Sequence, residues 1–230
     1  MNKRRVIIVG AGPGGLTSAM ILAHRQFDVT VFEADSTVGG RNSALRAEGF
    51  TFDRGPTFLM MQFMLREMFE KAGRNVEDYL KFKPLDPLYC LKLGDRNILV
   101  SADHDKMRAQ IREHFPGEEK GLDRFLHHER RRYEYLEPVI RKDYSTLWSL
   151  VSLSFLRAFP YASLGRSLFQ NLGRYFRDEK LKLSFTFQAK YLGMSPWECP
   201  AFFTILPFIE HEWGILHVMG GLNQISEAMA

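Results

Sequence analysis

The first turn of the chain limits its fold more than any other feature. Arg5-Val6-Ile7-Ile8-Val9 is a short run rich in β-branched residues, and it halts at Gly10-Ala11-Gly12-Pro13-Gly14-Gly15. From Gly14 to Arg25, Leu16, Ala19, Met20 and Ala23 recur at helical spacing, and Val29 to Phe32 is a second apolar run. A strand, a glycine turn, a helix and a strand within about thirty residues make one βαβ unit, whose strands pair in parallel and are expected to be buried.

The turn matches G-x-G-x-x-G, with Gly10, Gly12 and Gly15 in the three glycine places. Gly10 permits the tight turn, Gly12 lets backbone approach a pyrophosphate, and Gly15 allows close packing of helix on strand. The diphosphate would lie at the helix N-terminus, where unpaired N–H groups and the helix dipole favour negative charge, the dipole alone by ~0.3–1 kcal/mol. Glu33 ends the second strand about 20 residues on, where an acid takes a ribose hydroxyl in this fold. Glycine turns alone are common, and a buried turn with a surface glutamate is the bland alternative. The placement between strand and helix favours dinucleotide binding.

The segment after Glu33 exceeds the needs of a simple dinucleotide unit. Gly39-Gly40-Arg41 comes next, then Phe50-Thr51-Phe52-Asp53-Arg54-Gly55-Pro56-Thr57. An arginine beside a Gly-Gly pair can reach a cofactor phosphate with its planar donor fork. Gly55-Pro56 lets backbone approach a flat ring.

Further along, 43–53 reads as a hairpin turning near Glu48-Gly49, 58–72 as a helix, and 89–100 as a hairpin turning at Gly94-Asp95. From Asp103 the pattern becomes helical, at roughly 103–114, 118–142, 146–157, 162–177 and 179–192, punctuated by Pro116-Gly117, Pro160 and Pro196. A last helix is expected over 223–230, after Gly220-Gly221. The expected organisation is a first part of a nucleotide-binding domain over 1–75, a mainly helical domain over 76–213, and a return segment over 214–230. One βαβ unit does not complete a doubly wound sheet, so the chain reads as a piece of a longer protein.

Composition narrows the class. The chain has 230 residues, 45% hydrophobic and 25% charged, which excludes a disordered or collagen-like polymer. A formal charge of +4 demands no polyanionic partner. Arg130-Arg131-Arg132 is diluted by Glu129, Glu134 and Glu137 and carries no nucleic-acid motif, so it reads as a solvated helix face and no nucleic-acid partner is expected. His127 and His128 are adjacent and point different ways on a helix, and Cys90 and Cys199 stand far apart; no metal site is expected. The cysteine usage suits a reducing compartment. Met1 to Val9 imitates the start of a secretory signal, but the apolar run is too short and no small-residue cleavage site comes after it. The apolar stretch 144–156 falls short of the ~20 residues that span a bilayer.

Beyond these local readings, the run from Val6 to Thr57, VIIVGAGPGGLTSAMILAHRQFDVTVFEADSTVGGRNSALRAEGFTFDRGPT, resembles the flavin-dependent amine-oxidase-like superfamily. Within it the chain looks most like the bacterial-type phytoene (carotenoid) desaturases. Residues 182–209, KLSFTFQAKYLGMSPWECPAFFTILPFI, resemble their helical substrate region. Residues 214–222 are similar to their G-x-x-x-x-x-G-G-M segment, with Leu222 in place of methionine. Phe115-Pro116-Gly117 and Arg124-Phe125-Leu126 also fit. The resemblance runs along nearly the whole chain but covers only about the first half of a family member.

The resemblance implies an α/β fold: a Rossmann-like FAD-binding domain, incomplete here, with a mainly helical substrate- and membrane-binding domain. It carries Gly10, Gly12, Gly15, Glu33, Gly40 and Arg41 over to FAD binding and places the backbone of Gly55, Pro56 and Thr57 by the flavin ring. The implied reaction introduces double bonds into a linear polyene, with hydride passing to flavin N5 as a proton leaves the neighbouring carbon; the cofactor supplies the hard chemistry. Asp53 and Glu210 are the candidate proton acceptors. Asp53 reads better as an anchor of its loop than as a base, and Glu210-His211-Glu212 reads at least as well as a satisfied polar cluster. A related FAD-dependent oxidoreductase (a carotenoid isomerase or oxidase, or an amine oxidase) and a catalytically silent flavin-binding remnant remain alternatives.

A hydrocarbon of about forty carbons costs on the order of 30 kcal/mol to expose to water, at ~0.8 kcal/mol per methylene. Such a polyene substrate has to pass directly from bilayer to protein. Residues 58–65, FLMMQFML, suit a deformable greasy channel. Residues 144–172 carry Trp148, Phe155, Phe159, Tyr161 and Phe169 with Arg157 and Arg166, a composition suited equally to a core and to a membrane interface. The expectation is a cytoplasmic protein in peripheral contact with a membrane.

Overall fold

The computed structural model describes residues 4–146, 152–163 and 165–230. Trp148 and most of the first half of the helix expected over 146–157 lie outside the described residues, as do Met1 to Lys3 and Leu164. The chain divides into two units, Met1–Leu85 with Ile215–Ala230, and Asp86–Gly214. The first boundary falls after Leu85 rather than after residue 75.

The first unit opens with β1 (Arg5–Val9), α1 (Pro13–His24) and β2 (Asp28–Phe32). β1 and β2 pair in parallel, from Arg5 opposite Asp28 to Val9 opposite Phe32. The helix packs on the pair and buries Leu16. Both strands were expected to be buried, and here they are not: Ile7 is 68% and Val9 87% exposed. Alternate residues are covered, and among the described residues no element covers Ile7, Val9 and Phe32. A two-stranded parallel sheet with one packed face gives this alternation, whereas a wound sheet covered on both faces does not.

The hairpin β3 (Ala44–Ala47) and β4 (Phe50–Asp53) turns at Glu48 and Gly49, both at positive φ, the geometry that two-residue hairpins favour. The helix expected from Phe58 starts later, as α2 (Gln62–Lys71). Leu59 instead exchanges both backbone hydrogen bonds with Leu216, and Met61 adopts φ +53° before the helix begins. β5 (Phe82–Pro84) closes this stretch.

The second unit begins with the hairpin β6 (Tyr89–Leu93) and β7 (Arg96–Val100), turning at Gly94-Asp95 as expected. α3 (His104–His114) comes next, its first turn capped by Asp103, which accepts the N–H groups of Asp105 and Lys106. α4 (Glu119–Ile140) packs against α5 (Leu153–Ala158) and α8 (Ile205–Trp213). Between these lie α6 (Leu168–Leu172) and α7 (Glu179–Ser184). The helices expected over 162–177 and 179–192 are thus far shorter. Ser167 and Gln170 form a reciprocal capping box that starts α6, and residues 187–192 tighten into a 3-10 turn. Phe125, Tyr175, Phe176 and Phe185 form an aromatic core with centroids about 5–6 Å apart.

α4 also overturns the reading of Arg130-Arg131-Arg132 as a solvated face. Arg130 pairs with Glu212 at 2.6 Å, but Arg132 is completely buried and bonded to the equally buried Glu129. Glu129 and Arg132 fall on the stripe that buries Leu122, Phe125 and Leu136, so helical periodicity turns this ion pair inward.

The chain then returns to the first unit. β8 (Leu216–Val218) pairs antiparallel with β5, Phe82 opposite Val218, and α9 (Gln224–Met229) packs on α1. Leu16, Leu65, Phe69, Val76, Leu222 and Ile225 share one core.

Candidate functional site

The glycine turn is built as a cradle. Gly10 stands at φ +97°, and its N–H donates to Phe32 O at 2.7 Å, tying the turn to the end of β2. A Cβ at Gly15 would fall 2.1 Å from Gly10 O, so only glycine lets α1 leave the strand here. Gly12 and Gly14 face open space, with nothing within 4 Å of an added Cβ. Gly12 is the N-cap of α1 and no side chain caps the helix, so the first-turn N–H groups are left for an anion.

Glu33 closes one side of the cradle. Its carboxylate accepts the Ala11 N–H at 2.6 Å and the Ala34 and Asp35 N–H groups at 2.8 and 3.0 Å. The Asp35 and Ala11 N–H bonds hold its pKa below the usual carboxylate range. The Gly-Gly-Arg segment closes the other side. Gly39 N–H donates to Ala11 O at 2.8 Å, and the Cβ position of Gly40 lies 3.4 Å from Gly12 Cα. Gly10, Gly12, Gly15, Glu33 and Gly40 therefore meet around a single turn, with the exposed Arg41 next in sequence.

Gly55 also belongs to this neighbourhood: a Cβ there would lie 2.3 Å from Arg41 O. Pro56 and Thr57 continue it as exposed chain. The preceding Asp53 accepts the Leu222 N–H at 3.0 Å, so it ties the hairpin to the loop before α9.

Glu210 lies in the second unit, on α8, fully buried. Tyr89 and Tyr191 hydroxyls each donate to it at 3.0 Å, and the Gln188 amide donates to the same oxygen as Tyr89. Burial raises its pKa despite these donors. Its neighbours in sequence diverge: His211 Nδ1 donates to Ser101 O at 3.0 Å, and Glu212 pairs with Arg130. Among the described residues no cluster of His, Cys, Asp and Glu is placed to hold a metal ion.

Residues 13–230 match the family of flavin containing amine oxidoreductases. The chain belongs to that family. Among curated relatives of this flavin family, it is 52% identical over 229 residues to a 4,4'-diapophytoene desaturase (4,4'-diapolycopene-forming) of Methylomonas sp, covering 100% of this chain and 45% of the relative. It is 36% identical to a zeta-carotene-forming phytoene desaturase of Myxococcus xanthus, covering 98% of this chain and 44% of that protein. The chain thus spans about half the length of the relatives it matches. Among solved structures, putrescine oxidase bound to putrescine superposes with a TM-score of 0.61 at 18% identity, over 99% of this chain and 49% of the other. Cyclohexylamine oxidase from Brevibacterium oxydans IH-35A gives 0.59 at 19% identity, over 100% of this chain and 49% of the other. These likenesses establish the fold.

The cofactor of this flavin family is FAD, and the cradle fits it. The uncapped turn with open space at Gly12 and Gly14 leaves room for a diphosphate. A carboxylate accepts at about four sites, and Glu33 uses three, leaving one for a ribose hydroxyl. Sequence reasoning missed the buried Asn42, whose Nδ2 donates at 3.0 Å to both Leu222 O and Ser226 Oγ and fixes the turn that carries Arg41. It also missed Tyr89, Gln188 and Tyr191. Their bonds to Glu210 cross long sequence separations and leave no local signal, although the aromatic-rich run 185–191 hinted at a packed site.

Proposed function

We propose that this chain supplies the FAD-binding and substrate-facing portion of a desaturase acting on a linear carotenoid precursor such as phytoene or 4,4'-diapophytoene. The observation that carries this reading is the 52% identity, over the whole chain, to a relative that bears such a name. Each step removes two hydrogens from adjacent carbons, one as hydride and one as a proton, and leaves a carbon–carbon double bond. Bound FAD supplies the two-electron acceptor.

The chain's own residues bind and orient. Backbone N–H groups at Gly14 and Gly15 face the diphosphate, Glu33 takes a ribose hydroxyl, and Arg41 offers its guanidinium to phosphate. The exposed strip Gly55-Pro56-Thr57 presents backbone without bulk to a flat ring. Asp53 acts as an anchor in this reading, because its Oδ1 is already engaged by Leu222 N–H. Glu210 acts as the keystone of the second unit, satisfied by three donors.

The substrate also requires a bilayer. No helix among the described residues is long and apolar enough to cross a membrane, so contact is peripheral in this reading. Leu153 and Leu156 on α5 are each 63% exposed and Phe159 is 57% exposed, beside Arg157. This arrangement suits a helix lying in the interface plane.

The test is to incubate the complete, flavin-loaded desaturase to which this chain contributes with liposomes carrying phytoene or 4,4'-diapophytoene and to record polyene absorbance. New bands at longer wavelength are expected as conjugation extends. Retained flavin with an unchanged polyene spectrum for both substrates overturns the reading.

A further inference from the structure

In the first unit, polar groups from two distant stretches of chain meet at one buried point. Asn42 is 7% exposed and Ser226 is fully buried. Both N–H groups of the Asn42 amide are engaged by the return segment, one by Leu222 O and one by Ser226 Oγ, each at 3.0 Å. The Leu222 peptide is held from its other side as well, since its N–H donates to Asp53 Oδ1. Farther along the same segment, Glu227 pairs with Arg46 at 2.8 Å. Stability alone does not account for the buried amide, because apolar groups of the same shape in place of both partners are close to neutral. What hydrogen bonds add over apolar packing is direction.

Direction matters here because of the residue before Asn42. Arg41 sits in the 3-10 turn Gly40–Asn42, closed by Asn42 N–H on Gly39 O and Ser43 N–H on Gly40 O at 2.8 and 3.1 Å. Upstream, the turn is tied to the cradle by Gly39 N–H on Ala11 O. Between that tie and Arg41 stand Gly39 and Gly40, both at positive φ, which restrain the backbone little. Downstream, the Asn42 amide supplies the grip, and it fixes the point from which the exposed Arg41 side chain departs. A loop ordered before binding loses less affinity to ordering than one that must settle around its ligand. We propose that Asn42 and Ser226 are positioning residues for the cofactor: acting through Arg41, they hold its guanidinium ready for a phosphate of FAD. This inference rests on the phosphate role given to Arg41 in the proposed function, and it makes the return segment a working part of the flavin site.

The test titrates FAD into the apoprotein of the complete desaturase to which this chain contributes, at low and at high salt. R41Q is expected to weaken binding about tenfold and to flatten its salt dependence, because the lost contact joins opposite charges. N42A is expected to weaken binding about fivefold and to flatten the same salt dependence, while R41Q/N42A stays within about twofold of R41Q alone. Losses that multiply in the double variant, or an N42A loss that keeps the parent's salt dependence, make Asn42 a purely structural residue and overturn the inference. S226A covers the case in which N42A fails to fold. It leaves the Leu222 bond in place and is expected to weaken binding about threefold, again only where Arg41 is present. Parent-like affinity in both N42A and S226A also overturns the inference. R41Q that binds FAD as the parent does removes the phosphate role of Arg41 itself, a failure distinct from one confined to Asn42 and Ser226. Desaturation is scored separately, so loss of the desaturase reading leaves each of these affinities readable.

Discussion

Glu33 Oε2 lies 2.6 Å from the Ala11 nitrogen, so the acid that ends the second strand grips the turn after the first. The residue therefore has two duties, shaping the loop and offering a remaining acceptor position to a ribose. Glu33→Gln keeps one amide oxygen for the loop but loses the charge and part of the acceptor set. Flavin affinity is expected to fall about tenfold, and stability to fall with it because one set of loop N–H groups loses its acceptor. Titration of apoprotein with FAD, followed by flavin fluorescence, measures the affinity.

The glycines of the turn separate folding from binding. Gly15→Ala would drive a methyl to 2.1 Å from Gly10 O and is expected to cost about 3 kcal/mol of stability, read by urea denaturation. Gly12→Val meets nothing in the protein and is expected to leave the fold intact while abolishing FAD retention. Unchanged flavin absorbance in purified Gly12→Val would remove the pyrophosphate from this position.

Asp53 distinguishes an anchor from a base. Asp53→Asn still presents an oxygen to Leu222 N–H, so turnover and flavin content are expected to stay within about threefold of the parent. Asp53→Ala loosens the loop, and flavin content is expected to drop. A variant Asp53→Asn with full flavin and no turnover would make Asp53 the proton acceptor instead.

His211 sets a pH dependence in the second unit. Burial lowers its pKa to about 4, against about 6.5 when exposed. The unfolded chain takes up a proton there that the folded chain refuses, so stability is lost as pH falls from about 6.5 toward 4. The loss from this residue is about 3 kcal/mol, complete below its folded pKa. Glu210 works in the opposite sense, because its raised pKa favours the folded state at low pH and that contribution fades as pH rises. The difference between the parent and His211→Asn isolates the histidine: urea stability measured from pH 7 to pH 4 is expected to fall less steeply in the variant.

The buried Glu129–Arg132 pair gives a mutational cycle. Glu129→Gln leaves an uncompensated guanidinium in the core and is expected to cost about 3–5 kcal/mol, whereas Glu129→Leu with Arg132→Met is expected to cost far less. Chemical denaturation of Glu129→Leu, Arg132→Met and their double variant closes the cycle.

The legible parts of this fold are those whose instructions are local. The strand, turn, helix and strand of residues 5–32 are written in consecutive residues, and so are both hairpins and the Asp103 cap of α3. The shape of the turn was legible because Gly10 and Gly15 answer to local demands, a positive φ and a close approach of the helix to Gly10 O. The pairing of β5 with β8 was not, because three short residues on each side find one another across more than half the chain. The helix from Phe58 failed for the same reason: Leu59 obeys Leu216, not its own apolar neighbours. Arg132 was misplaced because a run of three arginines outweighed a 3.6-residue period that turns one of them inward. Ile7 and Val9 carried a buried-strand signature that only one layer of packing answers here.

The bond from Leu85 N–H to Ile215 O, 3.0 Å long, joins the two residues at which the long excursion leaves and re-enters. In a chain made from its N-terminus, β5 waits for its partner until some 130 further residues have been synthesised. Asn42 and Asp53 wait as well, since Leu222 and Ser226 emerge later still. The helical stretch can therefore settle on the ribosome while the nucleotide cradle stands half-fastened, and cofactor capture belongs to a late moment in biogenesis.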